Sequence, residues 1–316
     1  MAYNFGAYTT MITPYKENGE VDYDTARAYV RYYAENGLDG IFAVCQSSEI
    51  FYLTLEERMK LNAGVYDEVQ KIYKETGKLM TVVSSGHVSD TIDKQAIELS
   101  KIAETGTDAL ILITNRLDPH NQGDDTFIRN AEALLKLIPD NVALGFYECP
   151  YPYKRLVTPK ILDWCLSTGR FYFMKDTCCD ISVIKQRIRQ LRGSKFALYN
   201  ANCQTLLESL IAGGAGYCGI MANFHPKLYS WLCNNFDKYP EEAELVQAAL
   251  GTFGFTEVGL PYPLTAKYSM TLSGIATPNV ARNRKSEELT YYARDCVRQM
   301  KLFTDKMEED LRRAGL

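Results

Sequence analysis

Histidine is scarce in this sequence, with three in 316 residues, and His87, His120 and His225 stand at no spacing that a ligand set would use. A catalytic metal held by imidazoles is therefore not expected. Long apolar runs are missing as well. None approaches the ~18 residues of a membrane-spanning helix, and the opening Met1-Ala2-Tyr3-Asn4 has no signal-peptide pattern. Neither a membrane partner nor export is expected. Positive charge is not in excess: 35 basic side chains against 39 acidic ones leave a net charge of −4, which argues against a nucleic-acid partner. A disulfide framework is lacking too. The nine cysteines are odd in number and lie mostly in apolar runs, and the adjacent Cys178 and Cys179 are poorly placed for a structural bridge. A reducing cytoplasm is the expected compartment.

What is present is regular alternation. Hydrophobic residues make up 46% of the chain, ample for a large core. Strand-like runs begin near Phe5, Gly40, Leu79, Asp108, Val142, Phe171, Lys195 and Gly216, with helical patterns between them. Eight such units predict a closed parallel (β/α)8 TIM barrel. Thr54-Leu55-Glu56-Glu57 reads as a capping box, Thr158-Pro159 puts proline at a first helical position, and Gly37, Gly77 and Gly106 close helical patterns. Helical segments broken at Pro240, Pro261, Pro263 and Pro278 continue to Leu316. The expected division is thus a barrel over residues 1–224, then the last barrel helix and a C-terminal helical appendage over 225–316. Gly213-Gly214-Ala215-Gly216 looks like a phosphate loop, but it precedes the eighth strand and so belongs to the stability face, as a tight turn.

In such a barrel chemistry gathers where strands end. Lys175 ends the run Phe171-Tyr172-Phe173-Met174-Lys175, and alternation places it on the face of Phe173 and Phe171. An ammonium beside buried aromatics loses hydration, which favours the neutral, nucleophilic amine. Tyr147 ends the preceding strand-like run, 28 residues upstream. If those strands are neighbours, roughly 5 Å apart, a phenol and an amine meet at one open end, the equipment for imine chemistry on a carbonyl compound. Taken singly, a strand-end lysine is ordinarily a solvated boundary residue and a tyrosine near proline ordinarily packs; the pairing sets these apart. After the second strand comes Cys45-Gln46-Ser47-Ser48-Glu49, a turn whose hydroxyls and N–H groups can hold a carboxylate. His87, after the third strand, is either a loop histidine or a substrate contact. Cys178 and Cys179 read as packing residues, with no basic partner to activate a thiolate.

Four segments together resemble the dihydrodipicolinate synthase/N-acetylneuraminate lyase family of lysine-dependent pyruvate aldolases. They are Thr13-Pro14-Tyr15; Ser47-Ser48-Glu49 with Leu53-Thr54-Leu55-Glu56-Glu57-Arg58; Tyr147-Glu148-Cys149-Pro150; and Lys175-Asp176-Thr177. Weaker similarity runs through Ser85-Gly86-His87, Leu198-Tyr199-Asn200 and Ala212-Gly213-Gly214-Ala215. The resemblance implies that Lys175 forms an imine with pyruvate or a longer 2-oxo acid, with no other cofactor and no metal, and that Tyr147 shuttles protons. It implies that Ser47 binds the substrate carboxylate with the N–H of Ser48, while Gln46 stands in for a hydroxyl residue. The partner is then an aldehyde, and a homo-oligomer, dimer or tetramer, is expected.

Departures from the family pattern are as informative. Cys45 and Ser48 replace glycines, and Gln46 cannot relay a proton. Thr114-Asn115-Arg116-Leu117 replaces Thr-Pro-Tyr-Tyr and removes the relay tyrosine that a neighbouring subunit supplies. Pro152 stands where the synthases place an arginine, with Lys154 and Arg155 just beyond, and Ala201-Asn202-Cys203-Gln204 lacks the lyases' aspartate. Arg116, Lys154, Arg155, Cys203 and Ile220 complete the expected substrate-binding set. The expected activity is an aldolase or lyase of altered specificity; the alternatives are 4-hydroxy-tetrahydrodipicolinate synthase itself and a non-catalytic barrel that binds 2-oxo acids.

Overall fold

A computed structural model describes residues 5–316. Eight strands, β1 Gly6–Thr10, β2 Gly40–Phe42, β3 Thr81–Ser84, β4 Ala109–Ile113, β5 Ala143–Tyr147, β6 Phe171–Asp176, β7 Ala197–Asn200 and β8 Gly216–Gly219, close in sequential order into one parallel barrel. Each begins within two residues of the start expected from sequence. The helices between them are α1 Tyr23–Glu35, α2 Leu55–Thr76, α3 Ile92–Glu104, the short α4 Thr114–Leu117, α5 Asp124–Leu135, α6 Pro159–Thr168, α7 Ile181–Leu191 and α8 Leu206–Ile211. After β8 come α9 Pro226–Asn235, α10 Pro240–Glu257, α11 Leu264–Leu272 and α12 Tyr291–Arg313. This is the (β/α)8 fold with a C-terminal helical appendage.

The cap signals act as the local chemistry requires. Thr54 accepts from the N–H of Glu57 (3.1 Å) while the Glu57 carboxylate accepts from the N–H of Thr54 (2.9 Å), so α2 starts on a reciprocal box. Pro159 opens α6 behind the Thr158 cap, and Gly77 ends α2 in the left-handed region. The barrel's closing seam depends on Gly216, which pairs with Gly6; a Cβ there would lie 1.8 Å from the Gly6 carbonyl oxygen.

Two apolar layers fill the fold. Tyr8, Phe42, Val83, Ile111, Phe173 and Tyr199 occupy the barrel interior, while Phe146, Phe171 and Met174 face the surrounding helices. One expectation fails here. Phe171 does not share the face of Lys175: the β5–β6 register shifts between Leu144 and Gly145, so Phe171 turns outward and stacks on Phe146 (4.7 Å) while Phe173 stays inside. A bulge of this kind breaks strict alternation. The tail is packed onto the barrel. Leu228, Leu264, Met270 and Val297 share one hydrophobic cluster with Tyr29 and Ile41, and the Tyr29 hydroxyl donates to Thr277 (2.9 Å). No helix of the described residues is long and apolar enough to cross a membrane. All nine cysteines are free.

Candidate active site

Tyr147 and Lys175 are partners in the β5–β6 register. The Lys175 Nζ lies 4.2 Å from the Tyr147 ring centroid and 5.7 Å from that of Phe42. The lysine is 4% exposed, and among the described residues no carboxylate pairs with its ammonium. Below it, Phe173, Tyr8 and Tyr199 form an aromatic floor, with Phe173 and Tyr199 stacked at 4.4 Å and Tyr8 at 4.7 Å from Tyr199. The Tyr147 hydroxyl donates to Gln46 Oε1 (3.1 Å). Burial, then the neighbouring Cys149, push its phenol well above the usual tyrosine range. It therefore keeps its proton at neutral pH and is available as a donor. Gln46 Oε1 also accepts from the Cys149 thiol (3.4 Å).

The strand ends that carry this pair are held from behind by a buried ionic network. Arg187 on α7 bonds Asp176, the Glu148 carboxylate (2.7 Å) and the Val157 carbonyl (2.6 Å). Glu148 accepts further from the N–H groups of Val157 (2.8 Å) and Thr177 (2.9 Å). Residues immediately after Tyr147 and Lys175 are thus tied to one guanidinium, which fixes the two strand ends against each other. Burial raises the pKa of Glu148 although Arg187 opposes it.

The turn after β2 is a 3-10 helix over Gln46–Ser48. The Ser47 hydroxyl donates to Thr10 Oγ1 (3.0 Å). Ser48 is turned away. Its hydroxyl lies 2.7 Å from the Met11 carbonyl and 2.8 Å from that of Ala43, and its N–H is bonded to the Cys45 carbonyl (3.0 Å). The N–H expected to assist a carboxylate is therefore occupied; the N–H groups of Gln46 and Ser47, which precede any intrahelical acceptor, are the ones the turn offers. The next residue, Glu49, is fully buried and ion-paired to Lys267 (2.9 Å).

Most of the remaining expected contacts are engaged by other groups of the protein. Arg155 is buried and gives its guanidinium to Asp118 (2.9 Å) and Asp124 (2.7 Å). Lys154 reaches the Thr177 carbonyl (2.7 Å) from an exposed position. Arg116 pairs with the exposed Asp90 (3.1 Å) and stands 5.5 Å over the Phe51 ring, which in turn meets Tyr151 at 5.1 Å. Cys203 faces the outer layer, with its sulfur 3.4 Å from the Tyr217 hydroxyl, because the residues around it belong to the helix-side cluster. Ile220 is half-buried in the turn after β8 and packs on the same cluster. His87 is a core residue: Nδ1 bonds Gln95 Oε1 (2.9 Å), Nε2 accepts from the N–H of Ile113 (2.6 Å), and burial lowers its pKa to about 4. Cys179 is exposed rather than packed.

The model of the dihydrodipicolinate synthetase family matches residues 4–289. The chain belongs to this family. It is accordingly a class I, aldolase-type lyase. The 4-hydroxy-tetrahydrodipicolinate synthase of Coxiella burnetii is 27% identical over 229 residues, spanning 72% of this chain and 73% of that protein. The synthase of Haloarcula marismortui is 24% identical over 314 residues, 96% of each. Among solved structures, a monomeric dihydrodipicolinate synthase variant superposes with a TM-score of 0.84 at 19% identity over 97% of this chain and 98% of its own. A prophage protein of the family from E. coli K12, in complex with pyruvate, gives 0.81 at 17% identity over 96% and 98%.

Against the family pattern, the serine in place of glycine at position 48 accounts for the inward-bonded turn, since glycine has no hydroxyl to anchor it. Asn115, where the family has proline, supplies an amide that reaches the carbonyls of Cys149 (2.9 Å), Tyr151 (3.0 Å) and Tyr153 (2.6 Å) and so shapes the loop after β5. Sequence reading missed Asn115, Arg187, Lys267 and Arg282. The last two lie more than 200 residues from the Glu49 they serve, and no local pattern announces such a partnership.

Proposed function

We propose that this member of the family uses Lys175 to form an imine with pyruvate or a longer 2-oxo acid, and acts on an aldehyde partner other than aspartate semialdehyde. The observation that carries the reading is the in-register pair of Lys175 and Tyr147 above an aromatic floor. The neutral amine adds to the 2-oxo carbon, and loss of water gives an iminium that withdraws electrons from the adjacent carbon. Release of a proton from that carbon yields an enamine for C–C bond formation; the reverse order cleaves the bond. Tyr147, protonated at neutral pH, hands a proton to the departing hydroxyl and receives one later. Ser47 holds the substrate carboxylate. Gln46 fixes the tyrosine hydroxyl in place of a relay partner, so protons leave through substrate groups or water. The nine free thiols support a reducing, cytoplasmic setting.

Specificity rests on the second half of the site. Neither Pro152 nor the engaged Arg155 offers the cation that an aldehyde's carboxylate needs, and the outward-facing Cys203 offers nothing to sugar hydroxyls. Losing such a charged contact costs several kcal/mol. Steady-state assays of aspartate semialdehyde and N-acetylneuraminate beside a panel of aldehydes with pyruvate should therefore show both at least about 100-fold below the best substrate in kcat/KM. Robust condensation with aspartate semialdehyde would instead return the chain to the synthase activity that its relatives' names carry.

A further inference from the structure

The turn that carries Ser47 is gripped by the C-terminal tail. Glu49, which ends it, sits at φ 59° and ψ 37°, the left-handed region that an L-residue occupies only when its surroundings hold it there. Its carboxylate is wholly enclosed. Oε1 accepts from the Lys267 ammonium (2.9 Å), and Oε2 accepts from the N–H groups of Arg282 (2.6 Å) and Asn283 (3.1 Å). Lys267, on α11, has no exposed surface; it also donates to the Val280 carbonyl (2.6 Å) and stands 4.4 Å over the Tyr15 ring. The Arg282 guanidinium spans Glu57 at the start of α2 (2.7 and 2.8 Å), the Tyr52 carbonyl (2.9 Å) and the Gly19 carbonyl (3.1 Å). Two tail segments therefore meet the turn after β2 at one carboxylate two residues beyond Ser47, and through the Arg282 guanidinium they also hold the loop after β1 and the start of α2.

We infer that Lys267 is a positioning residue: its ion pair with Glu49 holds the 45–49 turn in the shape that presents Ser47, and the N–H groups of Gln46 and Ser47, to the substrate carboxylate. This rests on the proposed carboxylate role of Ser47. The ammonium itself is walled off by Tyr15 and the tail, so it acts through the turn and not on substrate. A buried ion pair is a poor source of net stability compared with well-packed apolar groups, but it demands particular geometry of both partners. Here that demand falls on the strained residue of the binding turn.

The test is borohydride trapping of the full-length protein across a pyruvate series. It compares wild type, Lys267→Met and the double variant Glu49→Gln/Lys267→Met, with thermal unfolding measured alongside. Lys267→Met leaves a buried carboxylate unpaired and should unfold earlier, whereas the double variant removes both charges and should regain most of that loss. The pyruvate concentration giving half-maximal trapping should nonetheless rise about tenfold or more in both variants, while the maximal trapping rate stays within about threefold. If Lys267→Met does not fold, the double variant decides. Half-saturation within twofold of wild type in a folded variant would overturn the assignment and leave Lys267 a purely structural residue. Absence of any adduct in the wild type would instead sink the imine reading, and this inference with it.

Discussion

The ends of β5 and β6 and the loops beyond them treat charge in opposite ways. At the strand ends, Lys175 has no counter-ion among the described residues and faces the Tyr147 ring, while the carboxylates of Glu148 and Asp176 are turned behind it onto Arg187. In the loops after β4 and β5, every cation suggested by sequence is engaged by the protein itself: Arg155 by Asp118 and Asp124, Arg116 by Asp90, Lys154 by the Thr177 carbonyl. Barrel register accounts for the difference. Hydrogen-bonded strands fix Tyr147 and Lys175 relative to each other whatever the loops do, whereas loop side chains take whichever partners their backbone path provides. On the proposed function, the half of the site that performs chemistry is set by the barrel, and the half that would select the second substrate is open to rewiring.

Substitutions in the two regions should have different consequences. Tyr147→Phe removes only a hydroxyl and should lower turnover by about 10²–10⁴-fold with unchanged thermal unfolding, the range for one acid–base group; a near-normal rate would reduce Tyr147 to packing. Arg187→Met strips the buried carboxylates of their partner and should cost about 3–5 kcal/mol in urea unfolding. It should also slow pyruvate trapping, because the strand ends lose their common anchor. Arg155→Met, in the rewired half, should cost a smaller ~2–3 kcal/mol, since Asp124 keeps some contact with water, and should leave the trapping rate within about threefold of wild type. Equal effects of the two arginines on trapping would erase the distinction between the halves. The smallest effect concerns His87. Its folded pKa of about 4 lies below the unfolded value near 6.5. Between those values the unfolded chain binds a proton that the folded one does not, so stability falls as pH falls. The stability advantage of wild type over His87→Gln should therefore shrink by about 2 kcal/mol between pH 7 and pH 5; a constant gap would mean that His87 takes up its proton in the fold over the same pH range as in the unfolded chain.

Much of this was legible in the sequence for reasons that are local. Strand starts, the Thr54 box and the Pro159 helix start depend on neighbouring residues, and the spacing of Tyr147 and Lys175 follows from one β/α repeat. The outward turn of Phe171 was not legible, because a register shift between strands leaves no mark in the alternation of either one. Nor was the fate of the cations. Arg116 and Arg155 look alike in sequence whether they face substrate or a carboxylate of the fold, and nothing in the sequence marks the loop residue Asp118 or the helix-start residue Asp124 as partners of Arg155. Lys267 and Arg282 reach Glu49 from the far end of the chain, a pairing that only tertiary structure reveals.

The proposed chemistry stands on the amine at the end of β6 being the nucleophile. Incubation with pyruvate and borohydride, followed by peptide mass spectrometry, tests it most directly. A single stable adduct on Lys175 is expected, with neither label nor activity in Lys175→Ala. An adduct on another lysine, or full activity in that variant, would contradict it.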